Sequence, residues 1–161
     1  MINLTIPKKK RIYIPQNLEM KWDNLEPILN ELLARPIDNV NDLEQWLKDK
    51  SELEAALEED FAWRYIKMSC DTANETLVKD FQYFATEIEP KISPIANQLN
   101  QKFNDSPFID ELDHDKYFVY IRAIRKALEI YREENVELLT KLQVTQQKYQ
   151  AITGAMSVMI N

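Results

Sequence analysis

The only histidine in the 161 residues is His114, three places after Glu111 in the segment "ELDH". A Glu-x-x-His spacing holds iron or manganese inside four-helix bundles, where the two side chains project from one helix face. Such a dinuclear site takes two of these motifs from two helices. A chain with one histidine cannot supply them, and "NDSPFIDELDHDK" reads as a turn region. The neighbouring Asp110, Asp113 and Asp115 read as helix caps and solvated surface, because a calcium loop needs a glycine to make its sharp turn and none stands here. Two carboxylates in proximity could act as general acid and base. With 27 acidic residues, however, coincidental pairs are certain. Cys70, the single cysteine, has no histidine near it in sequence and reads as a buried structural thiol rather than a nucleophile. The expectation is that no catalytic, cofactor-binding or metal-binding residue lies in this chain.

The charge balance narrows the partners. A net charge of −7 argues against nucleic acid, since phosphate neutralisation needs a basic face. The run Lys8-Lys9-Lys10-Arg11 reads as a solvated arm. Charged residues make up 29% of the chain, which fits a soluble protein. No apolar run reaches the roughly 18 residues of a membrane span. At the N-terminus the charges follow the short apolar part, the reverse of a secretory signal. One cysteine allows no internal disulfide, and a reducing, cytoplasmic setting is the simple reading.

Any functional side chains must be positioned by helices. One glycine, Gly154, where about eleven would be average, nearly excludes phosphate-cradling loops and β-sandwich corners. The periodicity predicts an all-α chain of about five long antiparallel helices, with one or more kinked at proline. The first spans about 23–35, with Asp23 as N-cap and a stripe of Leu25, Ile28, Leu29, Leu32 and Leu33; Pro36 closes it. The second opens at Asn41 with Leu43, Trp46, Leu47, Leu53 and Leu57, breaks near Asp49–Ser51, and resumes. The third runs from about Asn74 with Leu77, Phe81, Phe84 and Ile88, and continues past Pro90 and Pro94, as a kinked helix, to about Phe103. The fourth, about 115–133, carries Tyr117, Ile121, Ile124, Leu128 and Tyr131. In the fifth, about 139–153, Leu142, Tyr149 and Ile152 share a face. Gly154 suits a left-handed C-cap, and Ala155 to Ile160 read as a short strand free to pair with another segment or copy.

Three stretches carry a family resemblance. "KWDNLEPILNELLARPIDNVNDLEQWLKDKSELEAAL" holds Trp22, Leu25, Pro27, Leu32, Arg35, Leu43, Trp46, Leu47, Ser51, Glu52 and Leu53. "AWRYIKMSCDTANE" holds Trp63, Arg64, Tyr65, Asp71 and Thr72. "REENVELLTKLQVTQQKYQAITGAMSVMIN" runs from an Arg-Glu-Glu-Asn segment through a helix to Gly-Ala and a strand. Together, in this order, they resemble the N-terminal part of the M3 family of zinc oligopeptidases, in its oligoendopeptidase F branch. The resemblance implies that residues 1–161 form one helical N-terminal region of a larger peptidase, with the catalytic zinc domain absent from this chain. In that family a His-Glu-x-x-His helix plus another carboxylate holds zinc, and the motif glutamate acts as general base. No residue here matches that motif, so none is carried over. The family reading makes the chain one wall of a channel that admits short peptides and excludes folded proteins. It also makes the chain inert alone and gives it the C-terminal catalytic domain as partner. The alternative is a stand-alone helical binding or scaffolding module without catalysis.

Overall fold

A computed structural model describes residues 11–156, and every regular element among them is helical. The elements are α1 (Trp22–Ala34), α2 (Val40–Cys70), α3 (Glu75–Tyr83), a π-helical segment (Phe84–Ile88), α4 (Glu89–Asn104), a 3-10 turn (Ile109–Glu111), α5 (His114–Ile130) and α6 (Asn135–Gly154). Because α3, the π segment and α4 run on without a break, these elements make five helical rods. The run Lys8-Lys9-Lys10 lies outside the described residues.

Side-chain caps set most of the starts. Asn39, rather than Asn41, caps α2 by accepting from the Asn41 and Asp42 amides. Asn74 caps α3 and Asp113 caps α5 in the same way, satisfying donors that a helix leaves orphaned. α6 starts after Glu134 with no side-chain cap. α1 likewise starts after Lys21 with none, and Asp23 sits inside its first turn, where a carboxylate favours the helix dipole.

The break expected at Asp49–Ser51 is absent: α2 runs through it for 31 residues. Asp49 and Lys50 are buried and paired, while Ser51 is exposed. Asp49 accepts from Arg35 Nη1 at 2.5 Å and Gln45 Nε2 at 2.8 Å. Lys50 donates to Glu54 at 2.6 Å and the Tyr120 hydroxyl at 3.2 Å. A polar run marks a solvated break only when its groups have no partners inside. Around the prolines the rod carries a π turn just before Pro90, and Pro94 stands inside α4. Proline lacks an N–H and its ring collides with the carbonyl four residues back. The wider π turn, ending just before Pro90, makes room for it.

The stripes on α1, α2, α3 and α5 all face inward, and Leu25, Leu32, Leu43, Trp46 and Ile88 are wholly enclosed. The rods are not uniformly antiparallel. α3 returns antiparallel along α2, with Phe61 stacked on Phe81 and Phe84 and Tyr65 against Phe81. α1 runs parallel to α4, since Lys91 lies over Trp22 and Lys102 reaches the far end of α1. The pairs Glu44–Lys116 and Lys50–Tyr120 likewise show α5 running with α2.

The C-terminal expectations are corrected. No residue among those described is in a strand: α6 persists to Gly154, and Ala155 keeps a right-handed helical backbone. Residues 157–160 of the expected strand lie outside the described residues. Gly154 is not a left-handed cap either, because no described residue has positive φ. A Cβ there would sit 3.3 Å from Thr72 Oγ1. A close approach to the α2–α3 turn, not a reversal of the backbone, is what this position asks of its residue.

Candidate functional site

The residues whose types suggested chemistry are scattered. His114 begins α5, exposed, with Nδ1 3.9 Å from Asp115 Oδ1 and its ring 4.9 Å from Phe118. Glu111 ends the 3-10 turn and is therefore on a different element, so the Glu-x-x-His spacing does not share a helix face. Asp113 is spent as the α5 cap, accepting from the Asp115 and Lys116 amides at 2.9 and 3.3 Å. Asp110 and Asp115 are exposed. Cys70 is exposed, not buried. Met68, two places earlier, takes the inward position against Phe81 and Ala85, and residues two apart on a helix point to opposite sides. Among the described residues no three His, Cys, Asp or Glu side chains gather so as to hold a metal ion.

The buried polar groups form a fastening around the end of α1. Residue 36 is proline, so the Leu32 carbonyl has no amide four residues on to accept from. The Trp46 indole N–H donates to it at 2.9 Å and the Lys102 ammonium at 2.8 Å. Lys102 also donates to the Leu33 and Arg35 carbonyls at 2.8 and 2.5 Å, placing a cation on the negative end of the helix dipole. Beside it Arg35 bridges Glu31 and Asp49. The Tyr13 hydroxyl donates to Glu31 at 2.6 Å. The Arg35 bonds, helped by Tyr13, hold the Glu31 carboxyl below its usual range, while burial and then Glu31 push the Tyr13 hydroxyl up. Glu52 accepts from the backbone amides of Ile12, Tyr13 and Ile14 at 2.9–3.0 Å. Burial opposes ionisation of that carboxyl, but the three amides outweigh it and its pKa is lowered. These groups hold one another and fasten α1, α2 and α4 together.

The unusual surface is α6. Leu138, Leu142, Tyr149 and Ile152 are 62%, 53%, 68% and 64% exposed. With Thr145 they follow one another at steps of four, three, four and three, so they form one face. Leu139, on its flank, is also exposed. The opposite face, toward α4 and the π segment, carries Val136, Thr140, Val144, Gln147 and Ala151. Gln147 is 4% exposed and its side chain accepts from Gln82 Nε2 at 3.1 Å. Nearby, Gln150 donates to the Tyr65 hydroxyl at 3.0 Å. A surface helix normally turns its large apolar residues to the core and its polar ones to water. α6 separates the two kinds poorly: its large apolar residues are exposed beside Lys141 and Lys148, and its inner side mixes valine and alanine with threonine and glutamine. Its inner side is also loosely seated, with a groove of about 370 Å³ between Pro90 and Pro94 on one wall and Val136 and Thr140 on the other. Sequence reasoning found that Leu142, Tyr149 and Ile152 share a face but not that it points outward. The signal was present in the glutamines and threonines of the other face.

The described chain is thus an all-helical unit whose polar interior fastens helices and whose large apolar residues on α6 are left outside. Comparison with protein-family models gives a match to the Peptidase M3 N-terminal domain over residues 18–131. The chain belongs to that family, and the parent protein it implies is a peptidase. The match ends at Tyr131, the C-cap of α5, so α6 lies wholly beyond it. Searches of curated proteins and of solved structures return no match.

Proposed function

We propose that this chain is the N-terminal, channel-wall region of a zinc-dependent oligoendopeptidase of the oligoendopeptidase F branch, an enzyme that hydrolyses short peptides in the cytoplasm. The match to the Peptidase M3 N-terminal domain carries this reading. The three resembling stretches extend it past residue 131, through α6. Zinc belongs to the catalytic domain of the parent, where a His-Glu-x-x-His helix would hold it and activate water. This chain contributes no ligand to it, because two histidines four apart are required and there is one. What these residues supply is a stiff surface. The fastening around Leu32, Trp46 and Lys102 locks α1, α2 and α4 together, and a wall that keeps its shape can exclude folded proteins while admitting short peptides.

The test is metal analysis and peptide hydrolysis on the purified 161 residues. The reading expects no stoichiometric zinc and no cleavage of a quenched-fluorescent short peptide. One tightly held zinc per chain together with chelator-sensitive hydrolysis would overturn it.

A further inference from the structure

We infer that the groove between α4 and α6 is a binding site for a basic side chain, arginine above all, carried by a short peptide. The peptide as its source rests on the functional reading above; the choice of a cation rests on the groove.

Thr86, Pro90 and Pro94 form one wall, and Glu133, Val136, Glu137 and Thr140 the other, around about 370 Å³. The polar groups of these side chains are left as acceptors. The Thr86 hydroxyl donates to the Gln82 carbonyl and the Thr140 hydroxyl to the Val136 carbonyl, each at 2.9 Å, so both protons are spent inside their own helices. Glu133 and Glu137 add carboxylates. The prolines add backbone acceptors. Neither has an amide, so the Thr86 carbonyl, four places before Pro90, and the Pro90 carbonyl, four places before Pro94, lack their α-helical donors. A helical carbonyl points along the axis toward the residue four places on, and here that residue is itself part of the wall. The cations next to this stretch are engaged elsewhere: Lys141 pairs with Glu137 at 2.5 Å, and Arg132 donates to the Glu129 and Tyr131 carbonyls at 3.0 and 2.6 Å. Glu133 has no ion-pair partner among the described residues. Such a groove repels an anion, and a neutral peptide backbone brings as many acceptors as donors. A group with donors only is what completes it. The arginine guanidinium has five N–H donors and no acceptor, and its planar fork can serve a carboxylate on one wall and a carbonyl on the other. The proline rings and Val136 suit its alkyl stem. Lysine concentrates three donors at one point and spans the walls less well.

The test is titration of the 161-residue chain with blocked tripeptides, acetyl-Gly-Xaa-Gly-amide with arginine, lysine or citrulline at the centre, followed through the methyl resonances of Thr86, Val136 and Thr140. Citrulline keeps the shape of arginine and loses its charge. The expected result is saturable shifts at these methyls, with arginine bound more tightly than lysine and about tenfold more tightly than citrulline, the gain of a charge-assisted bond over a neutral one. Glu133→Gln should weaken the arginine peptide about fivefold, the order of one exposed ion pair. Glu75→Gln, which removes the same charge from an exposed position on α3, should leave it unchanged. Pro94→Ala returns an amide to the Pro90 carbonyl and should weaken binding about threefold, while circular dichroism shows the helices intact. Equal affinity for arginine and citrulline overturns the inference. So does equal weakening by Glu133→Gln and Glu75→Gln, which would mean only a general attraction to an acidic chain. Tighter binding of triglycine amide with a free N-terminus would assign the groove to a peptide ammonium and overturn the side-chain assignment. These readouts need neither zinc nor hydrolysis, so their failure is distinct from failure of the functional reading, which is scored by metal content and peptide cleavage.

Discussion

The Leu32 carbonyl gives a prediction whose magnitude follows from the geometry. Two side-chain donors, Trp46 Nε1 and Lys102 Nζ, share one enclosed acceptor that Pro36 leaves without a backbone partner. Trp46→Phe removes one donor and part of a fully buried ring. Trp→Ala in a core costs about 3–5 kcal/mol. Phenylalanine keeps most of that apolar surface and an aromatic face for the ammonium, so the substitution costs about 1–2 kcal/mol. The hydrogen-bond part is small, because Lys102 still serves Leu32. Lys102→Met leaves Leu32 served by Trp46 but strips the Leu33 and Arg35 carbonyls; the loss of charge-assisted bonds there costs about 2–3 kcal/mol in total. Only the double variant leaves the Leu32 carbonyl buried and unpaired, a penalty of about 1–3 kcal/mol that neither single variant incurs. Urea unfolding followed by far-ultraviolet circular dichroism should therefore show the double variant to be less stable than the sum of the singles by about 1 kcal/mol or more. Independent sites add to within about 0.5 kcal/mol. Additivity inside that margin would refute the shared-acceptor argument.

Other outcomes follow from the same structure. Gly154→Ala should shift stability by less than about 1 kcal/mol, since the gain in helix propensity is set against a 3.3 Å approach to the Thr72 hydroxyl; a loss of 2 kcal/mol or more would mean a left-handed backbone after all. The lowered pKa of Glu52 means that its contribution is complete above the unfolded-state value near 4.3 and disappears as pH falls through the lower folded value. Amide resonances of Ile12, Tyr13 and Ile14 should move toward those of a free segment over that acidic range, and Glu52→Gln should weaken this attachment already at neutral pH. If the three resonances stay put at pH 2, the carboxylate is not what holds the segment. Leu142→Glu should leave the urea midpoint of the isolated chain within about 0.5 kcal/mol of wild type, as expected for an exposed side chain, and a larger loss would place Leu142 in the core.

Helix spacing made most of the fold legible. The stripes on α1, α2, α3 and α5 were read at residues that are buried or partly buried against the core, because burial of large apolar side chains is the dominant stabilising term and leaves a periodic trace. Pairings between distant residues leave no such trace. The polar stretch Asp49–Ser51 suggested a break, and only Arg35 and Tyr120, brought in from α1 and α5, explain why the helix continues. Gly154 was read through backbone preference, yet its reason is Thr72, more than eighty residues earlier in the chain. Cys70 was assigned to the interior by residue type, although Met68 already holds the inward position. The α6 face was legible as a face, but which way a stripe points depends on its neighbours: here the inner side of the helix carries valine, threonine, alanine and glutamine.

On the proposed function these residues form a wall of a peptide channel and supply none of its chemistry. The most direct measurement is photo-crosslinking of a short peptide bearing a benzophenone side chain to the full parent enzyme, with the adducts mapped by mass spectrometry. The account predicts adducts both in the catalytic domain and within residues 11–156, each suppressed by excess unlabelled peptide. Adducts confined to the catalytic domain, under conditions where the enzyme is active, would contradict it.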